Sequence, residues 1–286
     1  MRSTIVVGEF DGMHLGHRAL VTAARRIADR ARQPLVAVVL DDVAATERLS
    51  SIDDRLRSLL AAGCTSAIAV PADSSGTSER SDRLVARIVE VTNADTAVFA
   101  CLPSRHEDAL YPSLRSGFTL QGVQVVEVDR LRDADEVAIV GSSIRVAVRA
   151  GAVDTAGTWL GRPYSLRGDV VHGAGLGRTI GFATANVRPP EGRLIPARGV
   201  YAARVTLQDG SAHTAAVNIG HRPTVEGNGR LLIEAHLLDF DADIYDTPIT
   251  IAFERWLRSE LRFSGIDELV AQLALDIADV RRGQVT

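Results

Sequence analysis

Two short stretches of the chain gather residues that can do chemistry. In "GRTIGFATAN", Gly177 to Asn186, small residues surround a hydroxyl at Thr184 and a carboxamide at Asn186. Both offer the neutral oxygens that a hard cation such as Mg2+ accepts while keeping several of its waters. Gly173, Gly175 and Gly177 precede them, a pattern that makes a mobile loop able to close over a triphosphate. In "GEFDGMHLGH", Gly8 to His17, the two histidines His14 and His17 lie one helical turn apart, so both imidazoles can face one ligand. Gly12 and Gly16 let a phosphate approach the backbone. The same spacing fits a pair of surface or capping histidines, or two metal ligands. A strand before the motif and a helix after it favour the anion, because free N–H groups and the helix dipole meet there.

The chain of 286 residues contains no lysine. That excludes a Walker-type GxxxxGK loop and any Schiff-base mechanism. A bound phosphate must be met by arginine, by backbone N–H groups, by a helix N-terminus or by a metal.

The elements that must position these residues fall into two kinds. From Thr4 to about Arg149, short apolar runs alternate with amphipathic stretches. "TIVVG", "PLVAVVL", "TSAIAVP", "DTAVFAC" and "VQVVEVD" read as strands. "HRALVTAARRIADRAR", "SSIDDRLRSLLAAG", Asp82 to Val91 and Ser143 to Arg149 read as helices, and "ADSSGTSERSD" as an exposed loop. This alternation predicts a doubly wound parallel sheet with ligands at the carboxyl ends of its strands. After Gly161 the character changes. "SLRGDVVHG", "GVYAARVTLQDGSAHTAAVNIG" and "RLLIEAHLLDF" combine β-branched residues with closely spaced Gly and Asp-Gly turns, which predicts an antiparallel β-barrel, and "GIDELVAQLALDIADVRRG" predicts a terminal helix. The expected fold class is therefore α/β plus β, with domains at 1–157 and 158–286.

Composition bounds the partners. The formal charge of −4 argues against a protein that coats nucleic acid. Cys64 and Cys101 form no CxxC pair, so neither a disulfide framework nor a zinc knuckle is expected. The N-terminal apolar run is too short for a signal peptide and no segment reaches the length of a membrane span, so a cytoplasmic protein without membrane contact is expected.

"GEFDGMHLGH" resembles the HxGH signature of nucleotidyltransferases, in the G-x-F-D-G-x-H-x-G-H form found in bacterial bifunctional riboflavin kinase/FAD synthetases. "GRPYSLRGDVVHGAGLGRTIGFATANV", "AVNIGHRPTV" and "IEAHLLDFDADIYDTPITIAFERWLRSELRF" are similar to the riboflavin kinase domain of the same family, over essentially all of residues 161–282. The resemblance implies a kinase that uses ATP and Mg2+ to convert riboflavin to FMN, releasing ADP. It implies that Glu234 is the catalytic base, as a carboxylate set in an apolar run. By the same resemblance Gly173, Gly175, Gly177, Arg178, Thr184 and Asn186 hold ATP, Thr184 and Asn186 hold the metal, and Arg222, Pro223 and Arg258 lie over the flavin. In the first domain it implies a nucleotide site of Gly8, Phe10, His14, Gly16, His17, Ser142 and Arg145.

The chain also departs from the family. "FACLPSRHED" stands where the family has a G-x-D/N-F-x-F-G flavin segment, "VGSSIR" where it has S-S-T-x-I-R, "LDDVA" where it often has F-x-P-H-P, and Ala183 where it usually has proline. These departures lead to the expectation of a working kinase with an impaired adenylyltransferase domain. The alternatives are a fully bifunctional enzyme that goes on to FAD, and a non-catalytic flavin- or nucleotide-binding regulator.

Overall fold

The strand β1 (Ser3–Gly8) is buried along its whole length, with Ile5 and Val7 turned to one side and Val6 to the other. A strand that is apolar on both faces belongs in the middle of a covered parallel sheet. In the computed structural model it lies at the centre of the order β3-β2-β1-β4-β5, formed with β2 (Leu35–Asp42), β3 (Ser66–Ala72), β4 (Ala94–Ala100) and β5 (Gln124–Val128). All neighbours are parallel. The described residues are 2–42, 45–72, 78–101, 110–173, 177, 180–221 and 231–283.

Helices α1 (Leu15–Ala31) and α2 (Ile52–Ala61) cover one face of the sheet, where Leu20, Val21 and Leu59 pack on Val6, Phe10 and Val98. Helices α3 (Ser78–Thr92) and α4 (Leu110–Leu120) cover the other, with Val85, Ile88, Leu114 and Phe118 against Ile5, Val7 and Phe99. The winding reverses between β1 and β4. Their carboxyl ends therefore frame the crevice in which open α/β sheets take their ligands.

Two details differ from the sequence expectation. Helix α3 starts at Ser78, inside the stretch expected as loop, because a polar first turn can precede the buried apolar positions that begin farther on at Val85. Helix α4 was not expected at all. Its buried Leu110, Leu114 and Phe118 recur every fourth residue, but Pro112 and Gly117 disguise the pattern. Pro112 falls in the first turn, where a missing N–H leaves no helical bond unmade.

The chain divides into two compact units, Met1–Gly141 and Ser142–Thr286. The division expected at 157/158 falls inside α6 (Val153–Leu160), which follows α5 (Gly141–Arg149). Helix α6 packs on β6 (Tyr164–Val171) and β11 (Pro248–Arg258), and that contact places it in the second unit.

The second unit is a closed barrel in the order β10-β7-β6-β11-β8-β9, completed by β7 (Ala185–Arg188), β8 (Gly199–Thr206), β9 (Ala212–His221) and β10 (Leu231–Leu237). Alternate residues fill it: Tyr164, Leu166, Val205, Val217, Ile219, Ile233, Ile251 and Phe253 are at most 1% exposed. The phenol of Tyr164, buried among them, donates to the Leu194 carbonyl at 2.6 Å. Outside, α7 (Ile266–Arg282) packs through Ile277 and Val280 on Ala202, Ala216 and Leu238. The architecture is the α/β plus β class expected, with a doubly wound sheet followed by an antiparallel barrel and a terminal helix.

Candidate functional site

On β10 the parity of the strand sorts the side chains. Ile233, Ala235 and Leu237 are buried in the barrel, so Glu234 and His236 stand on its outer wall. Glu234 is directly opposite Asn186 of β7 on one side and Asn218 of β9 on the other. Directly opposed residues of antiparallel strands bring their Cβ atoms to about 4.5–5.5 Å, close enough for their polar groups to meet. A half-buried carboxylate is thus set level with two carboxamides, and that of Asn186 belongs to a residue only 8% exposed.

Gly173 and Gly177 lie close against Asn186 and the residues just before it. A Cβ at Gly173 would overlap the Asn186 carboxamide, and one at Gly177 would overlap the Phe182 carbonyl and stand 3.3 Å from Thr184 Oγ1. The Phe182 N–H donates to the Gly177 carbonyl at 2.8 Å. Glycine is needed at both positions for close approach. Beside Thr184 opens a cavity of about 520 Å3, walled by Thr184, Ala183, His236, Phe240, Ile244 and Tyr245. Its volume is in the range of small-molecule pockets. Tyr245 stacks on His172 with ring centroids 4.1 Å apart. Among the described residues no group of three or more His, Cys, Asp or Glu side chains can hold a metal. The oxygens of Thr184 and Asn186 suit Mg2+, which makes few protein contacts and completes its shell with phosphate and water.

In the first unit, β1 leads into a turn with Phe10 at φ 53° and Gly12 at φ 76°, and α1 follows. His14 caps that helix: its Nδ1 accepts from the His17 N–H at 3.2 Å, so the neutral ring carries its proton on Nε2. The capping reading of the histidine pair is realised, and it leaves the pair together, with rings stacked 3.6 Å apart at 20°. Gly16 admits the Ile139 carbonyl, which a Cβ would approach to 2.6 Å. Gly8 is the last residue of β1, and Phe10 is fully buried.

The turn is held from below by Asp11. One carboxylate oxygen accepts from the Leu49 N–H at 2.9 Å; the other accepts from the Ser50 N–H at 2.9 Å, its hydroxyl at 3.0 Å and Arg55 Nη2 at 3.0 Å. The Gly12 N–H donates to Ser50 Oγ at 2.7 Å. Asp11 and Arg55 side chains are each 4% exposed, so this is a buried ion pair with its remaining lone pairs satisfied.

At the carboxyl end of β4, where the divergent segment begins, Arg115 donates to the Ala100 carbonyl at 2.8 Å and Arg130 to the Cys101 carbonyl at 2.6 Å. Burial, and then the neighbouring Glu127 and Asp129 carboxylates, push the Cys101 thiol above its usual range. Residues 102–108 of "FACLPSRHED" lie outside the described residues, as do Gly175, Arg178, Arg222 and Pro223. Ser142 and Arg145 sit one turn apart on α5, in the second unit.

Arg258, expected over the flavin, is the last residue of β11. Its guanidinium pairs in a fork with Asp276 of α7 at 2.8 and 2.6 Å, against a carboxylate only 4% exposed. Sequence reasoning missed Asn218, the contact of His236 with the Ala183 carbonyl at 2.7 Å, and the Asp11–Arg55 pair. The one signal for Asn218 was its polarity within the apolar run "AAVNIG".

Comparison with known proteins follows the same division. The riboflavin kinase family, Flavokinase, matches residues 160–283, and the FAD synthetase family matches residues 1–99. The bifunctional riboflavin kinase/FMN adenylyltransferase of Pseudomonas fluorescens is 33% identical over 96% of this chain and 91% of its own. That of Listeria monocytogenes is 32% identical over 98% and 92%. A solved structure from Streptococcus pneumoniae described as a macrolide-efflux protein superposes with a TM-score of 0.82 at 27% identity, covering 98% of this chain and 94% of that one. Among the described residues of the present chain, no helix is long and apolar enough to cross a membrane.

Proposed function

The chain belongs to the bifunctional riboflavin kinase/FMN adenylyltransferase family, and on that premise we propose that it is an ATP-dependent riboflavin kinase, transferring the γ-phosphate to the ribityl 5′-hydroxyl to give FMN. The observation that carries this reading is the level placement of Glu234 with Asn186, with Gly173 packed on the Asn186 carboxamide and Gly177 beside Thr184. Glu234 takes the proton of the attacking hydroxyl. Thr184 and Asn186 hold Mg2+ brought in with the nucleotide, and the ion, when bound, neutralises charge on the phosphates. Gly173 and Gly177, each packed too closely on its neighbours for a side chain, let the triphosphate approach the backbone. The cavity walled by Phe240 and Tyr245 has the volume and the apolar faces for the nucleoside.

In this reading the barrel is the kinase domain and the first unit a nucleotidyltransferase-like domain that keeps His14, His17 and the turn around Gly12 as a phosphate site. Its adenylyltransferase activity is impaired. The FAD synthetase match ends at residue 99, the first position of "FACLPSRHED", and two arginines occupy the carbonyls just beyond it. A second reading, full bifunctionality, is favoured by the length over which the bifunctional relatives align.

The test is incubation of the purified chain with riboflavin, ATP and Mg2+, with flavins separated over time. FMN as the end product supports the first reading. FAD formed after FMN establishes the second, and riboflavin left unchanged removes the kinase.

A further inference from the structure

Thr184 can serve a metal only if the backbone before it is held, and Ala183 has no ring to preset its φ. The holding contact comes from another strand. The imidazole Nδ1 of His236 lies 2.7 Å from the Ala183 carbonyl oxygen, and because a carbonyl can only accept, Nδ1 carries the proton. The same ring meets that of Phe182 edge to face, with centroids 5.7 Å apart at 61°. Residues 182 and 183 are thus gripped by one side chain, through an aromatic contact and a hydrogen bond.

The grip is anchored on a rigid element. His236 is paired with Ala216 of β9, and its neighbours Ala235 and Leu237 are buried in the barrel. Glu234 stands two residues away on the same face of β10. His236 and Thr184 also share the wall of the cavity.

We propose that His236 is a positioning residue: it fixes the Ala183 carbonyl so that the Thr184 hydroxyl is set for the nucleotide-bound cation, at a fixed height relative to Glu234. This inference rests on the kinase reading. It assigns His236 to the MgATP side of the reaction, with no proton transfer of its own.

Two replacements separate the parts of the side chain. His236→Phe keeps a ring against Phe182 and removes the donor; His236→Asn keeps an N–H near the position of Nδ1 and removes the ring. The expected result is a rise of about tenfold in KM for MgATP in His236→Phe, the effect of losing one hydrogen bond, with the KM for riboflavin unchanged. His236→Asn stays within about threefold of the parent, the partial loss expected when the hydrogen bond is kept and packing is not. Adding Ala183→Pro to His236→Phe restores most of the MgATP KM, since the ring restricts the backbone of residue 183 in place of the lost hydrogen bond. An unchanged MgATP KM in His236→Phe, an equal rise for both substrates, or no rescue by proline overturns the proposal. If the parent chain forms no FMN, the kinase reading itself falls. If it forms FMN and His236→Phe is indistinguishable from it, only the role of His236 falls.

Discussion

Glu234 of β10 and Asn186 of β7 stand directly opposite each other on the outer wall of the barrel, and Asn218 of β9 continues the row on the far side of Glu234. Glu234→Gln is nearly isosteric and keeps the hydrogen-bonding neighbours, so it isolates proton acceptance. The expected loss in kcat for riboflavin phosphorylation is about 10²–10⁴-fold with KM values nearly unchanged, the contribution of one general base. Steady-state rates of FMN formation measure it, and a Glu234→Gln variant that keeps parental kcat removes Glu234 from the reaction.

Gly173 is tested by the smallest possible addition. A methyl group there meets the Asn186 carboxamide, which must then move off the position it shares with Glu234. Gly173→Ala is expected to lower kcat/KM for MgATP by at least about tenfold, in line with the cost of misplacing a site group by a fraction of its radius. Gly181→Ala is the control for the loop as a whole. That glycine has open space where a Cβ would stand, so the price is set by its φ of 85° alone.

The Asp11–Arg55 pair supports the turn of the first unit from a buried position. Arg55→Met leaves a carboxylate buried without its cation, which costs about 3–5 kcal/mol. Calorimetry is expected to show the transition of the first unit moved to lower temperature, while riboflavin phosphorylation at 25 °C continues. Equal unfolding temperatures for Arg55→Met and the parent contradict this account of the turn.

Arg258 and Asp276 link β11 to α7. Arg258→Ala strands the Asp276 carboxylate and is expected to destabilise the barrel by about 3 kcal/mol. Adding Asp276→Asn removes the stranded charge, so the double variant loses less than the sum of the single ones. Denaturant unfolding of the four chains measures the coupling. Additive losses, joined to a raised KM for riboflavin in Arg258→Ala, return the arginine to the flavin.

Much of the candidate site was legible without coordinates because it is local. The strand, turn and helix around "GEFDGMHLGH" are spelled by one apolar run, two glycines and a capping histidine, all within reach of short-range backbone preferences. Thr184 and Asn186 are separated by one residue, and the parity of β10 already sets Glu234 off from Ile233 and Ala235. Helix α4 was hidden by Pro112 and Gly117, whose penalties depend on where in the helix they fall.

The sequence by itself determined the two-part class of the fold, the strand, turn and helix around Gly12, and which residue types could serve a cation and a proton, since each follows from patterns a few residues long. The tertiary structure decided the rest: that Glu234 is level with Asn186 and Asn218, that His236 reaches Ala183, that Arg258 belongs to Asp276, and that α6 packs with the barrel. The physical reason is register. Alternation within a strand fixes which face a side chain takes, but its partner across the sheet is set by how the barrel closes, and that depends on the whole chain at once.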